Sequence, residues 1–469
     1  MTEQQSGFKP SLGLTDATMI VAGSMIGSGI FIVSADMLKD LGSSGWLLAA
    51  WIITGFMTLT AALSYGELSG MFPAAGGQYV YLKEAYNPLV GFLYGWSFFS
   101  VIQTGTIAAV AVGFAKFAGY LIPALVWEDA NCINLWGWKI QNAQLAGMAL
   151  VILLTWINTR GIQTGKFIQT IFTSTKLIAM LALILAGFWM FNTDIWNANW
   201  TDPWNMHNLR PEAAGTDYTM GLAMGAMAAA MVGSIFSSDA WNNVTFIAGE
   251  IRNPRKNIGL SLFLGTLIVT LIYVLMNVIY LGTVPIQELA FAKDNRVALS
   301  ASEAIFKGAG TLVIAVLIMV STFGCNNGLI LAGARVYYSM SKDGLFFRQA
   351  GELNKNAVPA WALWIQCLMA SALCLSGKYG DLLDMVSFVV VIFYILTIAG
   401  VFILRRKRPD IERPYRTFGY PLLPAIYILM GGTFCILLII YKPEYTWPGL
   451  IISLIGLPLY FLAINRKKA

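Results

Sequence analysis

Between Ala22 and Phe31 an apolar run long enough to cross a bilayer carries three glycines and two serines, Gly23, Ser24, Gly27, Ser28 and Gly29. Glycine costs about 1 kcal/mol relative to alanine inside a helix. Hydrocarbon offers no water to freed peptide groups, so irregular backbone survives at membrane depth only where protein or a wet cavity receives it. The stretch Ile26-Gly27-Ser28-Gly29 therefore reads as a break in a first membrane helix. Its bare N–H groups, at the positive end of the following half-helix, suit an anion such as a carboxylate. The alternative is close helix packing through small residues.

The rest of the chain supports a membrane setting. Of 469 residues 57% are hydrophobic and 12% charged, against about 25% charged in soluble domains. Apolar runs near 20 residues recur along the whole length. The formal net charge of +6 fits basic cytoplasmic loops better than a nucleic-acid surface. Cys132, Cys325, Cys367, Cys374 and Cys435 have no metal-ligand spacing, and four of them sit in apolar segments as small buried hydrophobes. Cys132 falls in an outer connection, and no covalent pairing is expected of it. The single histidine, His207, lies in a polar loop without catalytic neighbours. No cofactor and no metal are expected. The first apolar segment lacks a small-residue cleavage site and reads as a retained helix.

The expected fold is an all-α integral membrane protein with twelve spans. They fall near 14–36, 45–70, 89–124, 143–159, 167–191, 218–247, 258–283, 309–340, 360–376, 382–404, 420–441 and 446–464. With the N-terminus inside, 20 Lys and Arg fall in inner segments, Arg335 and the run Arg405-Arg406-Lys407-Arg408 among them, and 8 in outer ones. That bias puts both termini in the cytoplasm of a plasma or inner membrane. Lys116 sits near the outer end of its span, where it can snorkel.

The sixth span repeats the pattern of the first. Gly233, Ser234, Ser237, Ser238 and Asp239 interrupt it midway, followed by Trp241-Asn242-Asn243. Interruptions at matching positions of two halves point to a transporter with inverted repeats. A free amino acid needs donors for its carboxylate and acceptors for its ammonium group. Gly27, Ser28 and Gly29 supply the first. Carbonyls freed near Met25 and Phe236 supply the second. Phe236 can close over the ligand; ordinary aromatic packing is the alternative.

Lys176, midway through the fifth span, costs about 2.5–3.5 kcal/mol at that depth and is a functional candidate by position. It can donate to carbonyls of the broken first helix, taking the place of a sodium ion, or carry a coupled proton. Asp239 can select cationic side chains, pair with a lysine, or N-cap the second half of the sixth helix, and capping is the leading reading. Glu67 and Glu250, near inner span ends, read as gate or loop contacts.

Six stretches carry a family resemblance: GSMIGSGIF (23–31), SYGELSGMFPAAGGQYVYLKEAYNPLVGFLYGW (64–96), FTSTKLIAM (172–180), IFSSDAWNNVTFIAGEIRNPRKN (235–257), STFGCNNGLILAGARVYYSMSKDG (321–344) and PYRTFGYPLLP (414–424). In these the chain resembles the amino acid–polyamine–organocation (APC) superfamily of transporters, and within it the L-type amino acid transporter (LAT) family. The resemblance implies a five-plus-five inverted repeat with discontinuous helices 1 and 6, working by alternating access. A cytoplasmic tail 1–13 would lead into repeats 14–191 and 218–404, two further helices in 420–464 and a tail 465–469.

The resemblance also implies roles. The α-carboxylate would sit on Gly27, Ser28 and Gly29 beside Ile26. The amino group would meet carbonyls of Met25, Phe236, Ser237 and Asp239. Phe236 would be a gate, and Lys176 would occupy a vacated sodium position. Ile102 and Thr106 would line the side-chain pocket, with Asn327 a neighbour. Many relatives have an aromatic near Ser238 and glycine at the position of Ala240, so this chain departs from them there. Animal members pair with a heavy subunit through a cysteine where Cys132 sits; short loops and termini make such a partner unexpected.

The expected function is sodium-independent exchange of neutral L-amino acids. The alternatives are proton-coupled symport, cationic amino acid transport or, more remotely, a non-transporting sensor. No intramembrane cluster has catalytic spacing, so no enzyme is expected.

Overall fold

The structure, a computed structural model, describes residues 10–135, 138–211, 218–376 and 379–468. Positions 1–9 and 469 of the expected tails lie outside the described residues, and so does Lys378. The first apolar segment is two helices, α1 (Leu14–Met25) and α2 (Val33–Leu41), with a 3-10 turn at Gly29–Phe31 between them. α3 (Ser44–Met71) begins at Ser43, whose hydroxyl accepts from the Trp46 amide as an N-cap should. The short α4 (Gln78–Ala85) leads into α5 (Pro88–Ser97) and α6 (Gln103–Leu121), one span joined by a π-helical turn at Phe98–Ile102.

After α6 the chain forms a hairpin that sequence reasoning did not anticipate, β1 (Cys132–Leu135) against β2 (Trp138–Gln141), with Cys132 opposite Gln141. α7 (Asn142–Thr159), α8 (Ile162–Trp189) and the short α9 (Thr193–Asn199) follow. The second interrupted segment is α10 (Met220–Ser237) and α11 (Asn243–Phe246). Then come α12 (Pro254–Thr283), α13 (Ile286–Ala290), α14 (Val297–Phe306), α15 (Ala309–Lys342), α16 (Ala360–Ser376), α17 (Tyr379–Lys407), α18 (Leu422–Tyr441) and α19 (Pro443–Lys468).

Nine helical stretches among the described residues are long and apolar enough to cross a membrane. The twelve expected spans exceed these nine at three places. The first is broken, and the ninth and twelfth are the shorter apolar stretches Ala360–Leu375 and Thr446–Leu462.

Lipid tails are as apolar as leucine, so helices in a bilayer associate through close packing. α3 and α12 show this. A Cβ on Gly66 would lie 3.6 Å from the Gly259 Cα, and a Cβ on Gly55 would strike Thr270. The two contacts share one antiparallel register, and α12 is thereby laid along the core of the bundle. At the far end of α3 the expected gate carboxylates find arginines. Glu67 accepts from Arg405 Nη2 at 2.7 Å and from the Thr417 amide at 2.7 Å. Glu250 accepts from Arg335 Nε at 3.0 Å. Arg335, placed in an inner connection by its charge, is instead fully buried within α15. The amides of Ser11 and Leu12 donate to the Glu250 carbonyl, which ties the start of α1 to this face.

Candidate functional site

A helix ends with four carbonyls that its own amides cannot reach, and in a dry interior each needs another donor. α1 ends this way at Met25, and side chains from three helices answer its carbonyls. Lys176 Nζ of α8 donates to Gly23 O at 2.5 Å and to Ile26 O at 2.8 Å. Cys325 Sγ of α15 donates to Ser24 O at 3.0 Å. Tyr273 Oη of α12 lies 3.0 Å from Met25 O, which also accepts the Gly27 amide at 2.9 Å. Ser321 Oγ reaches Ile26 O at 3.4 Å. The donors of the break are treated differently. Among the described residues the amides of Gly29 and Ile30 have no acceptor, and the buried Ser24 hydroxyl has no partner. Protein groups thus fill the carbonyl side of the break and leave donors on the amide side.

The second break falls at the last two of the residues that announced it, Ser238 and Asp239. Gly233, Ser234 and Ser237 remain helical, and the chain leaves α10 at Ser238. The Asp239 amide donates to Phe236 O at 3.2 Å. Ala240 then takes φ +62°, a left-handed conformation that costs a residue with a Cβ about 1–2 kcal/mol. We expect Ala240→Gly to raise stability by about 1 kcal/mol, read as a higher unfolding temperature in detergent with uptake retained.

Asp239 is buried, and its Oδ1 accepts from the Tyr394 hydroxyl of α17. The capping expectation fails here. The N-cap of α11 is Asn242, and the Asp239 carboxylate has turned toward α17 instead. Asn242 Nδ2 donates to Gln78 Oε1 at 2.9 Å.

The two breaks meet. A Cβ on Gly29 would lie 2.8 Å from Ser237 Cβ and 3.1 Å from Ser237 Cα. Tyr273 Oη is also 3.0 Å from Ser237 O, so one hydroxyl proton serves the carbonyl ends of both broken helices. Removing it leaves one buried carbonyl short of a donor, worth about 0.5–1.5 kcal/mol. Tyr273→Phe should therefore weaken apparent substrate affinity by up to about tenfold while the protein stays folded, as a concentration series of uptake would show.

The other expected residues are placed as follows. Phe236 is buried in the last turn of α10. Ser28 is buried beside the turn. Thr106 donates its hydroxyl to Ile102 O at 2.7 Å, so both lie on one stripe of the third span. The next residue of that stripe, Val110, stands 3.5 Å from where a Gly27 Cβ would be. Asn327 Oδ1 accepts from Asn158 of α7 at 2.8 Å. The α15 groups that bond the break are Cys325 and Ser321. Beside Lys176 and Ser321 lies a cavity of about 10 Å³, and beside Asp239 and Tyr394 one of about 20 Å³. Each has room for about one water.

Sequence reasoning missed Tyr273, Cys325 and Tyr394. A signal for the first existed. Tyr273, Asn277 and Tyr280 form a polar stripe at i, i+4 and i+7 on an apolar helix. All three serve the first broken segment. Asn277 Oδ1 accepts from Ser34 at 2.7 Å, and Tyr280 Oη donates to Ile30 O at 3.3 Å.

Residues 12–460 match the sequence family described as amino acid permease. The chain is 30% identical to the Asc-type amino acid transporter 1 of Mus musculus over 462 residues, 98% of this chain and 82% of that one. It is 30% identical to the large neutral amino acids transporter small subunit 2 of Homo sapiens over 457 residues, 97% of this chain and 81% of that one. To the serine/threonine exchanger SteT of Bacillus subtilis (strain 168) it is 29% identical over 474 residues, covering 100% of both.

Proposed function

The chain belongs to the amino acid permease family, and from that premise we propose that it exchanges neutral L-amino acids across the membrane without sodium, by alternating access. One observation carries the reading. At the first break the amides of Gly29 and Ile30 and the Ser24 hydroxyl find no partner among the described residues, in a buried setting. Unpaired buried donors cost about 1–3 kcal/mol each, and a carboxylate would satisfy several at once. In the scheme the substrate carboxylate docks on Gly27, Ser28 and Gly29 beside Ile26. The ammonium group is held by the carbonyls of Met25, Phe236, Ser237 and Asp239, displacing or sharing the Tyr273 hydroxyl and Gly27 amide that meet Met25 O in this structure.

The contact between Gly29 and Ser237 closes the space between the breaks. Substrate entry then requires α10 to part from the 3-10 turn, with Phe236 moving as the gate. Ile102 and Thr106 lie on the stripe facing the break and would meet the substrate side chain. Segments 14–191 and 218–404 act as two repeats, each opening on a broken helix, within a twelve-helix bundle.

Two features favour neutral substrates and sodium independence over the alternatives. Asp239 is buried and one of its carboxylate oxygens is held by Tyr394, which disfavours its use as the partner of a cationic side chain. Lys176 already places a positive charge among the carbonyls at the end of α1, where a bound sodium ion would otherwise be held. The names of the relatives, for large neutral amino acids and for serine/threonine exchange, agree with neutral substrates.

Counterflow into liposomes tests the proposal. Uptake of labelled neutral amino acid should accelerate with unlabelled amino acid inside, with no sodium and no pH gradient. Uptake that needs an inward proton gradient would replace exchange by symport.

A further inference from the structure

Between α3, α10 and α18 lies a groove of about 650 Å³. Its mouth is formed by Trp46 and Trp204, whose rings meet edge to face at 5.5 Å, together with Asn205 and Tyr218. Trp46 Nε1 donates to Trp204 O at 2.9 Å. Tryptophan and tyrosine collect at the level of lipid headgroups, which puts the mouth at one face of the bilayer. From there the groove descends along α3 from Trp46 to Met57 and along α10 from Met220 to Met231. Each path is about 16 Å at 1.5 Å per residue.

Seven of the eighteen described lining residues are methionines, in a chain with 20 methionines among 469 residues. That concentration is far above the chain's average. Methionine is unbranched and polarizable and adapts to a flexible apolar partner. No charged side chain is among the described lining residues. The groove is open sideways, with Met220 80% and Leu429 71% exposed.

We propose that this groove holds one acyl chain of a phospholipid from the leaflet on the Trp46 side. Depth selects this occupant. The hydrocarbon core is about 30 Å thick, so one leaflet's chain reaches about as far as Met57 and Met231 while its headgroup stays at the tryptophans. The volume lies within the range of sites that bury most of a small ligand, about 300–1,000 Å³. The site does not depend on what the protein carries. The floor residue Met57 of α3 also lines the small cavity beside Asp239 and Tyr394, and the lining residues Met220 to Met231 belong to α10, which ends at the second break.

The test uses the full-length protein in phosphatidylcholine vesicles containing a trace of phosphatidylcholine with a diazirine midway along one acyl chain. After illumination, labelled peptides are mapped. Labelling should be severalfold higher on Met220–Met231 and around Met57 than around Leu368 of α16, which is 67% exposed. Ala223→Trp, which fills the groove from its open side, should remove that excess. Met430→Trp repeats the test from α18 should the first variant not fold. Labelling no higher than at Leu368, or an excess that both fillers leave unchanged, overturns the proposal. Loss of the excess on adding cholesterol would also overturn it, since a sterol would then be the occupant.

Discussion

Gly29→Leu should show no measurable amino acid uptake, although the protein still enters the membrane and elutes as a single species in detergent. The argument is one of space. A Cβ at Gly29 would lie 2.8 Å from Ser237 Cβ and 3.1 Å from its Cα, and the second of these is backbone, which cannot rotate away. Overpacking of this kind costs about 1–3 kcal/mol for small additions, and leucine adds three further carbons on the path of the carboxylate. Gly29→Ala should then be a graded loss. Pairing it with Ser237→Gly removes the nearest obstructing atoms and should restore part of the rate. If Gly29→Leu transports normally, the carboxylate does not bind at this turn. If the paired variant recovers nothing, the breaks do not work against each other.

Lys176→Ala should fold yet transport slowly or with altered coupling. The ammonium group is the one side-chain donor to Gly23 O among the described residues and shares Ile26 O with Ser321. Its loss orphans a buried carbonyl, at about 1–3 kcal/mol. It also removes the cation that offsets the negative end of α1. The expected signature is a fall in maximal exchange rate of about 5- to 150-fold, the kinetic equivalent of those 1–3 kcal/mol. Counterflow at several pH values measures both rate and proton dependence. Exchange at the wild-type rate, with wild-type pH dependence, would leave Lys176 a purely structural residue.

The two breaks differed in how readable they were. At the first, glycines and serines in an apolar run marked the place where α1 ends and the 3-10 turn begins. At the second, only Ser238 and Asp239 of the announcing residues mark the break, and the glycine and serines before them stay helical. Ser237 Oγ donates to Gly233 O at 2.7 Å, and Ser234 Oγ donates to Met231 O at 3.1 Å, so both hydroxyls are satisfied along their own helix. Gly233 serves packing, since a Cβ there would stand 2.9 Å from Val33 Cβ. Small residues mean close approach as readily as broken backbone, and only the neighbouring helix decides which.

The roles of single polar residues depended even more on partners distant in sequence. Asp239 looked like a cap because aspartate caps helices; Tyr394, 155 residues away, takes its carboxylate instead. Cys325 looked like an inert small hydrophobe, yet its thiol closes on Ser24 O across 301 residues.

What the amino-acid order determined alone was what is local or additive: membrane residence, the rough bounds of most apolar segments, the break at Gly27 to Gly29, and a lysine deep within an apolar span. These follow from hydropathy and from the cost of glycine in a helix, which need no partner. Tertiary structure alone decided which groups meet. It set Tyr273 between two helix ends, turned Asn327 toward α7, and pressed Gly29 against Ser237. A hydrogen bond across the bundle depends on helix rotation and register, and hydrocarbon, being equally apolar on every side, leaves both to packing.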